Sequence, residues 1–491
     1  MTARCLLLAL FLLPAVIAAQ DPETWLRDDG LRWRTNDGAF ELNLHTAVQT
    51  RLTWHDTRGQ GENGDNGRDY INFSLPNTRT FLHGHLFDPQ FQYRVWLVWS
   101  WPGGGFHVLD AHFRWAPDAL FNVTVGQMRI PASWEQLVDQ ERTLIADRSI
   151  TDEAFNQGWG KGIEISGTAG LYDTADDVAL LRWQAGLFNG VPASSDGAQG
   201  RGQMLLSGGR STGIAVTNAG ATEHFAGGLR NDDWQLNAEN FSQAVDGDLM
   251  VAGRLEFHPV GEVNRHMADD VNDEDSAVWR VMVGVAANWM RGHVNGYGTF
   301  LGNVFHNVPN VGSIPGPASG RPPVRFEALN VSLDGHFRWL GLSVNWALQW
   351  RSVTFDAEGR LNQALDDDDP YLLKHLADRG ASVEVSYFVL RDVLNLQVRW
   401  AAVDFDEFKS RMIGTGTPVD GDSFGADSQE YGFGVVWTIH GDHLKLSADY
   451  RYVTQQLPHG VGKGKAATAG VERVADWRQF QELRLQLQWM F

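Results

Sequence analysis

Apolar and polar positions alternate along this chain with a period of two. In Gln479–Phe491, Leu483, Leu485, Leu487, Trp489 and Phe491 fall on one side of an extended strand. Glu482, Arg484, Gln486 and Gln488 fall on the other. Such alternation is the mark of a strand with one greasy and one wet face. Near the start, Phe40, Leu42, Leu44, Val48, Leu52 and Trp54 alternate with Glu41, Asn43, His45, Gln49 and Arg51. The rhythm recurs near 70–86, 91–101, 106–115, 120–128, 160–167, 178–190, 249–258 and 277–290. It resumes near 326–339, 342–351, 381–390, 393–402, 429–440 and 443–453. With the first and last stretches, the pattern predicts about sixteen strands.

The connections decide what these strands build. Asp88-Pro89, Pro117-Asp118, Leu340-Gly341, Arg391-Asp392 and Gly441-Asp442 are short turns. They alternate with long connections near 291–325, 352–378, 403–427 and 454–478. Tight turns on one side and long loops on the other are what an antiparallel transmembrane β-barrel requires. A soluble sheet would leave its last, strongly apolar strand as an exposed edge, whereas a closed barrel pairs it with the first. The predicted fold is all-β: a single barrel of about 16 strands, too wide for side chains to fill and hence able to hold an aqueous channel. The connection 129–159, after the fifth strand, breaks the alternation and reads as partly helical over Ala132–Ile145. It is predicted to fold inward as a constriction loop.

The amino terminus adds a destination. Arg4, the apolar run Leu6–Ile17 and Ala18-Ala19-Gln20 read as a cleaved secretory signal peptide. The expected organisation is a signal peptide at 1–19, a polar periplasmic lead-in at 20–39 and the barrel at 40–491, placed in the bacterial outer membrane. Cys5, the only cysteine, lies in the segment to be removed, so disulfides and thiolate chemistry are excluded from the mature chain. No later apolar run is long enough for a helical span. With 20 Trp, 26 Phe and 53 Gly the chain is rich in aromatics and glycine, yet its mean hydropathy is negative. Alternating lipid-facing and lumen-facing residues give that average. A formal charge of -20 argues against a nucleic-acid partner.

Once register is assigned, the wet faces can be read. They carry Arg51, Arg94, Arg114, Arg254, Arg338, Arg399, Arg451 and Arg484, together with Asp110, His112, Asp334 and His336. Arginine suits bidentate contact with oxyanions. The same faces carry Glu41, Glu164, Glu384, Glu430, Asp449 and Glu482, so two readings stay open: the charges contact passing solutes, or they pair with one another. Leu109-Asp-Ala-His-Phe-Arg-Trp115 and Leu333-Asp-Gly-His-Phe-Arg-Trp339 are nearly the same heptapeptide. Each brings Asp, His and Arg to the lumen, where a paired carboxylate would favour a charged histidine, or each simply finishes a strand with a girdle tryptophan. Neither a His-Glu-x-x-His metal motif nor a lipid-facing Ser-His-acid set is present. No enzyme, cofactor or metal is expected.

Short motifs in order then suggest a relationship. Gly84-His-Leu-Phe-Asp-Pro89, Val125-Gly-Gln-Met-Arg-Ile-Pro131, Asp147-Arg-Ser-Ile150 with Glu153-Ala-Phe155, Gly186-Leu-Phe-Asn-Gly190 and Gly253-Arg-Leu-Glu-Phe257 resemble the phosphate-selective porin O and P family. The resemblance runs from about residue 34 to the end. It implies a homotrimeric outer-membrane channel with a constriction loop and an anion-binding pore, in which Arg129, Arg142 and Arg148 match the constriction positions. Lysine is scarce here, and Asp366–Asp369 forms an acidic loop cluster, which departs from the family's basic pore. The expected function is diffusion of small hydrophilic solutes with an anion or phosphate preference. The alternative is a structural or adhesive barrel whose loops bind a partner while the pore stays closed.

Overall fold

The computed structural model describes residues 26–27, 30–56, 70–99, 107–155, 157–173, 178–189, 214–216, 223–225, 249–263, 278–294, 324–355, 375–404, 408–409, 423–424, 427–441, 443–456 and 477–491. The signal peptide and the 366–369 cluster lie outside them. One sheet holds eighteen strands, of which two belong to the lead-in. The remaining sixteen form the wall. The first half comprises β1 (Phe40–Asp56), β2 (Tyr70–Leu86), β3 (Asp88–Val98), β4 (His107–Trp115), β5 (Asn122–Arg129), β6 (Trp159–Asp173), β7 (Val178–Asn189) and β8 (Leu249–His258). The second comprises β9 (Arg280–Val294), β10 (Val324–Trp339), β11 (Leu342–Phe355), β12 (His375–Leu390), β13 (Leu394–Asp404), β14 (Ser428–His440), β15 (Leu444–Gln456) and β16 (Trp477–Met490).

Each strand pairs antiparallel with the next, and β16 returns to β1 with Leu485 opposite Leu52. The ring is closed, so the wall itself leaves no free edge. The two faces follow the sequence pattern. Leu483, Leu485, Phe433, Trp437, Ile163, Ile165, Val283 and Val285 are exposed outward, while Glu482, Arg484, Gln486 and Gln488 are buried on the other face. This inversion of the soluble arrangement, apolar outside and polar inside, fits a wall solvated by lipid. At the Leu340-Gly341 turn both residues have positive φ, 48° and 85°. That is the two-residue hairpin geometry whose twist matches the flanking strands.

The lead-in joins the wall. Leu31–Arg34 pairs with Glu41–Leu44 of β1, just beyond Ala47, where β16 stops. It therefore supplies backbone partners to an end of β1 that would otherwise lack them. The Arg32 guanidinium donates to Glu41 at 2.7 Å across this pairing.

Between β5 and β6 the chain leaves the wall. The helix expected over Ala132–Ile145 shrinks to α1 (Trp134–Leu137), capped by the Ser133 hydroxyl, and a 3-10 turn at Gln140–Arg142. A second helix, α2 (Ile150–Phe155), was not foreseen. The cause is competition for carbonyls. Those of Glu135, Leu137, Val138, Glu141 and Leu144 accept from side chains rather than from the next helical turn. A helix cannot propagate once its acceptors are taken.

Candidate functional site

An irregular segment surrounded by protein needs donors for its carbonyls. Here the polar face of the wall provides them from nearly every direction. Arg254 on β8 donates to Ala132 O at 2.7 Å, and Arg351 on β11 to Ala154 O at 2.9 Å. Gln397 and Arg399 on β13 donate to Leu144 O at 3.0 Å and Asp147 O at 2.8 Å. Gln488 on β16 donates to Glu141 O at 3.1 Å, and Arg51 on β1 to Ala146 O at 3.0 Å. Thr151 donates to Ala381 O and Ala402 O of β12 and β13. The segment sits so close to β12 that a Cβ at Gly380 would lie 2.6 Å from the Phe155 ring.

Charges are matched as closely. Asp147 accepts from Arg51 at 3.0 and 3.1 Å and also from Arg484. Arg484 is held in turn by Asp449, directly opposite it across β15 and β16. Arg399 donates to Glu430 at 2.9 Å through Nε and approaches Glu384 at 3.5 Å. Arg451 lies 3.4 Å from Glu430. Arg254 clamps Asp334 through two bonds, 2.6 and 2.8 Å. Of the two readings left open for these arginines, internal pairing describes Arg51, Arg254, Arg399, Arg451 and Arg484.

The three arginines at the positions expected to form a constriction part company. Arg148 is buried and spends its guanidinium on Glu135 O, Val138 O and Asp152. Arg129 donates to Leu137 O at 2.9 Å, pairs with Asp139 at 3.1 Å and lies between the rings of Trp96 and Trp159, 4.9 and 5.1 Å from their centroids. Arg79 and Arg94 also pack on Trp96, at 4.7 and 5.1 Å. Arg142 alone is exposed. It lines a cavity of about 590 Å³ together with Arg94, Arg114, His112, His45, Phe81 and Met490.

The two heptapeptides differ in use. Asp110 accepts from Trp159 Nε1 at 2.7 Å and pairs with Arg94 at 3.1 Å. His112 faces Gln127 O at 3.4 Å through Nδ1. His336 accepts at Nε2 from Arg338 Nε, 2.7 Å away, and Asp334 is committed to Arg254. What the two copies share is Trp115 and Trp339, both exposed on the outer face, as the girdle reading requires.

Trp96, Trp159, Arg79 and Lys445 escaped the sequence reading. Trp96 was accessible: it sits between Arg94 and Val98 on a strand, on the parity assigned to the wet face.

One titratable group inside the segment gives a pH prediction. Full burial, joined by the nearby Glu135 carboxylate, pushes the Asp152 carboxyl up to about 7, against the opposing pull of Arg148 and the Ser133 hydroxyl. The folded segment then binds this proton more tightly than the unfolded chain does, whose ordinary value is 3.8. Its contribution is full below about pH 4 and declines as pH rises to about 7. Hydrogen exchange of peptides covering 133–155, corrected for intrinsic rates, is expected to be faster at pH 8 than at pH 5. Asp152→Asn should remove the difference; a wild-type protein with equal protection at both values would contradict the assignment.

Comparison with known proteins follows the same lines. Residues 47–258 match the family model described as phosphate-selective porin O and P, the family that the short motifs resemble. None of the curated proteins matches the sequence. Among solved structures, the outer-membrane OmpT of Vibrio cholerae aligns with a TM-score of 0.45 at 10% identity, covering 93% of this chain and 100% of that one. An anion-selective porin from Comamonas acidovorans aligns at 0.46 and 9% identity, covering 92% and 99%. The outer-membrane channel DcaP of Acinetobacter baumannii aligns at 0.45 and 10%, covering 94% and 99%.

Proposed function

We propose that this chain is an outer-membrane porin, a homotrimer that lets small hydrophilic solutes diffuse through a water-filled passage beside the 129–159 segment. The observation that carries the reading is the closed ring of sixteen strands, apolar outside and polar inside, with residues 130–158 bonded to its polar face. The match of residues 47–258 supports it. In this reading Arg142, Arg94 and Arg114 meet the passing solute, and Arg129 and Arg148 hold the segment that narrows the passage. A channel narrowed by charged side chains selects by field and diameter together. Guanidinium groups at the narrowing favour anions, phosphate among them.

The test is single-channel recording of refolded protein in planar bilayers. Discrete steps with a reversal potential favouring chloride over potassium in a KCl gradient are the expected outcome. Block by added phosphate would assign the family's named preference to this chain; indifference to it would leave a general anion channel. A folded barrel that gives no steps would favour the adhesive alternative.

A further inference from the structure

The cavity beside the segment holds cations that the fold does not use. Its three carboxylates each have a guanidinium of their own. Glu41 has Arg32 at 2.7 Å, Asp139 has Arg129 at 3.1 Å, and Glu141 has Arg79 at 3.6 Å. Arg94 is matched by Asp110 at 3.1 Å. Arg114 and Arg142 are left over: among the described residues neither makes an ion pair, and Arg114 Nε is buried without a hydrogen-bond partner. Both line the cavity. Arg51, Arg254, Arg399, Arg451 and Arg484 on the polar face are neutralised at close range, whereas Glu164 and Asp139 act on Arg114 and Arg142 only from farther away, which leaves this pair open to a ligand.

The cavity also has an apolar patch. Phe81 stacks on His45 at 4.3 Å, and Met490 lies beside them. About 590 Å³ is the size of a pocket for a small organic molecule and far more than a tetrahedral oxyanion fills. Phosphate needs donors around all its oxygens. Here the surplus guanidiniums share the lining with neutral donors such as Asn43, Gln92 and Tyr93 and with three carboxylates, which repel a doubly charged phosphate more than a monoanion. A carboxylate concentrates its charge at one end and leaves the remainder for apolar contact, and thioethers and rings pack well on an aromatic body.

We propose that this cavity is a binding site for small aromatic carboxylates, held by Arg114 and Arg142 at the carboxylate and by Phe81 and Met490 along the ring. It rests on the channel reading for the route by which such a solute arrives, but binding itself can be measured without conduction.

Calorimetric titration of the refolded protein in detergent, with benzoate, acetate and inorganic phosphate as probes, tests it. Benzoate is expected to bind at least about tenfold more tightly than either of the others, by the free energy of one buried ring. Arg142→Gln, at an exposed position, and Arg114→Gln should each weaken benzoate about tenfold, as loss of one charge-assisted contact does. Arg291→Gln, at the far end of β9, should not. Phosphate binding as tightly as benzoate, or benzoate affinity unchanged in both variants, would overturn the proposal. Benzoate binding without conductance steps would overturn the channel and keep the site; steps without benzoate preference would do the reverse.

Discussion

Arg399→Met is expected to destabilise the inner segment more than any other single substitution of an arginine on the polar face. Arg399 is buried, and it serves two carboxylates and two carbonyls at once: Glu430, Glu384, Asp147 O and Arg148 O. Methionine fills much of the volume but leaves Glu384 and Glu430 as buried anions with weakened or no compensation. Breaking a buried pair from one side costs about 3–5 kcal/mol, mostly from the charge left behind. The backbone ladder of the wall does not depend on Arg399, so the loss should fall on residues 143–155. Limited proteolysis in detergent should cut at Arg148 in the variant and spare it in the wild type. Adding Glu430→Gln and Glu384→Gln should recover most of the protection, because the orphaned charges are then gone. If the triple variant is cut as fast as the single one, the two carbonyl contacts, and not the charges, are what Arg399 contributes.

That prediction needed the structure, although the residue did not. Period-two alternation was enough to place Arg399, Glu430, Arg484 and Glu482 on the inner face, because side-chain direction in a strand is local. The closing pair of β16 with β1 was legible for the same reason, helped by a terminal strand too apolar to be left unpaired. What alternation cannot report is the path of a segment without a period. Arg399 and Asp147 are 252 positions apart, and their contact is a property of the closed ring. Arg142 and Arg148 are the same residue type six positions apart, yet one is exposed and the other buried. The 3-10 turn at 140–142 and the carbonyls that Arg148 reaches decide this, and neither has a signature in the local sequence. The failed helix at Ala132–Ile145 has a related origin, since its acceptors are taken by Arg129 and Arg148 from beside it and by Gln397 and Lys445 from distant strands. Trp96 was legible in part: its parity places it on the inner face, but the guanidiniums of Arg79 and Arg129 that pack on its ring come from a neighbouring strand and from the start of the segment.

Asp147→Asn is expected to raise conductance and to shift selectivity toward anions. Asp147 is the one carboxylate of the segment that faces both strands at the closure of the ring, bonding Arg51 on β1 and Arg484 on β16. Asparagine keeps the shape and can still accept one bond, but it cancels the charge that neutralises two guanidiniums. Arg484 retains Asp449 and Glu482 nearby. Among the described residues Arg51 retains Gln486 and Ala146 O, both neutral, so the new positive field centres on β1. Two consequences follow in the same direction. The segment loses its firmest tie to β1 and β16, which under the proposed channel function widens the passage on that side, and an unneutralised arginine draws anions into it. Chloride-to-potassium permeability should therefore rise, and rise further at 0.1 M than at 1 M salt, where the screening length shrinks from about 10 to 3 Å. Asp449→Asn gives the contrast. It removes the carboxylate charge beside Arg484 and the Ala146 N–H, leaves Asp147 bridging both strands, and should change selectivity much less. Should the two variants behave alike, the effect would belong to charge anywhere along the polar face. A difference between them would tie the selectivity change to the Arg51–Asp147 contact.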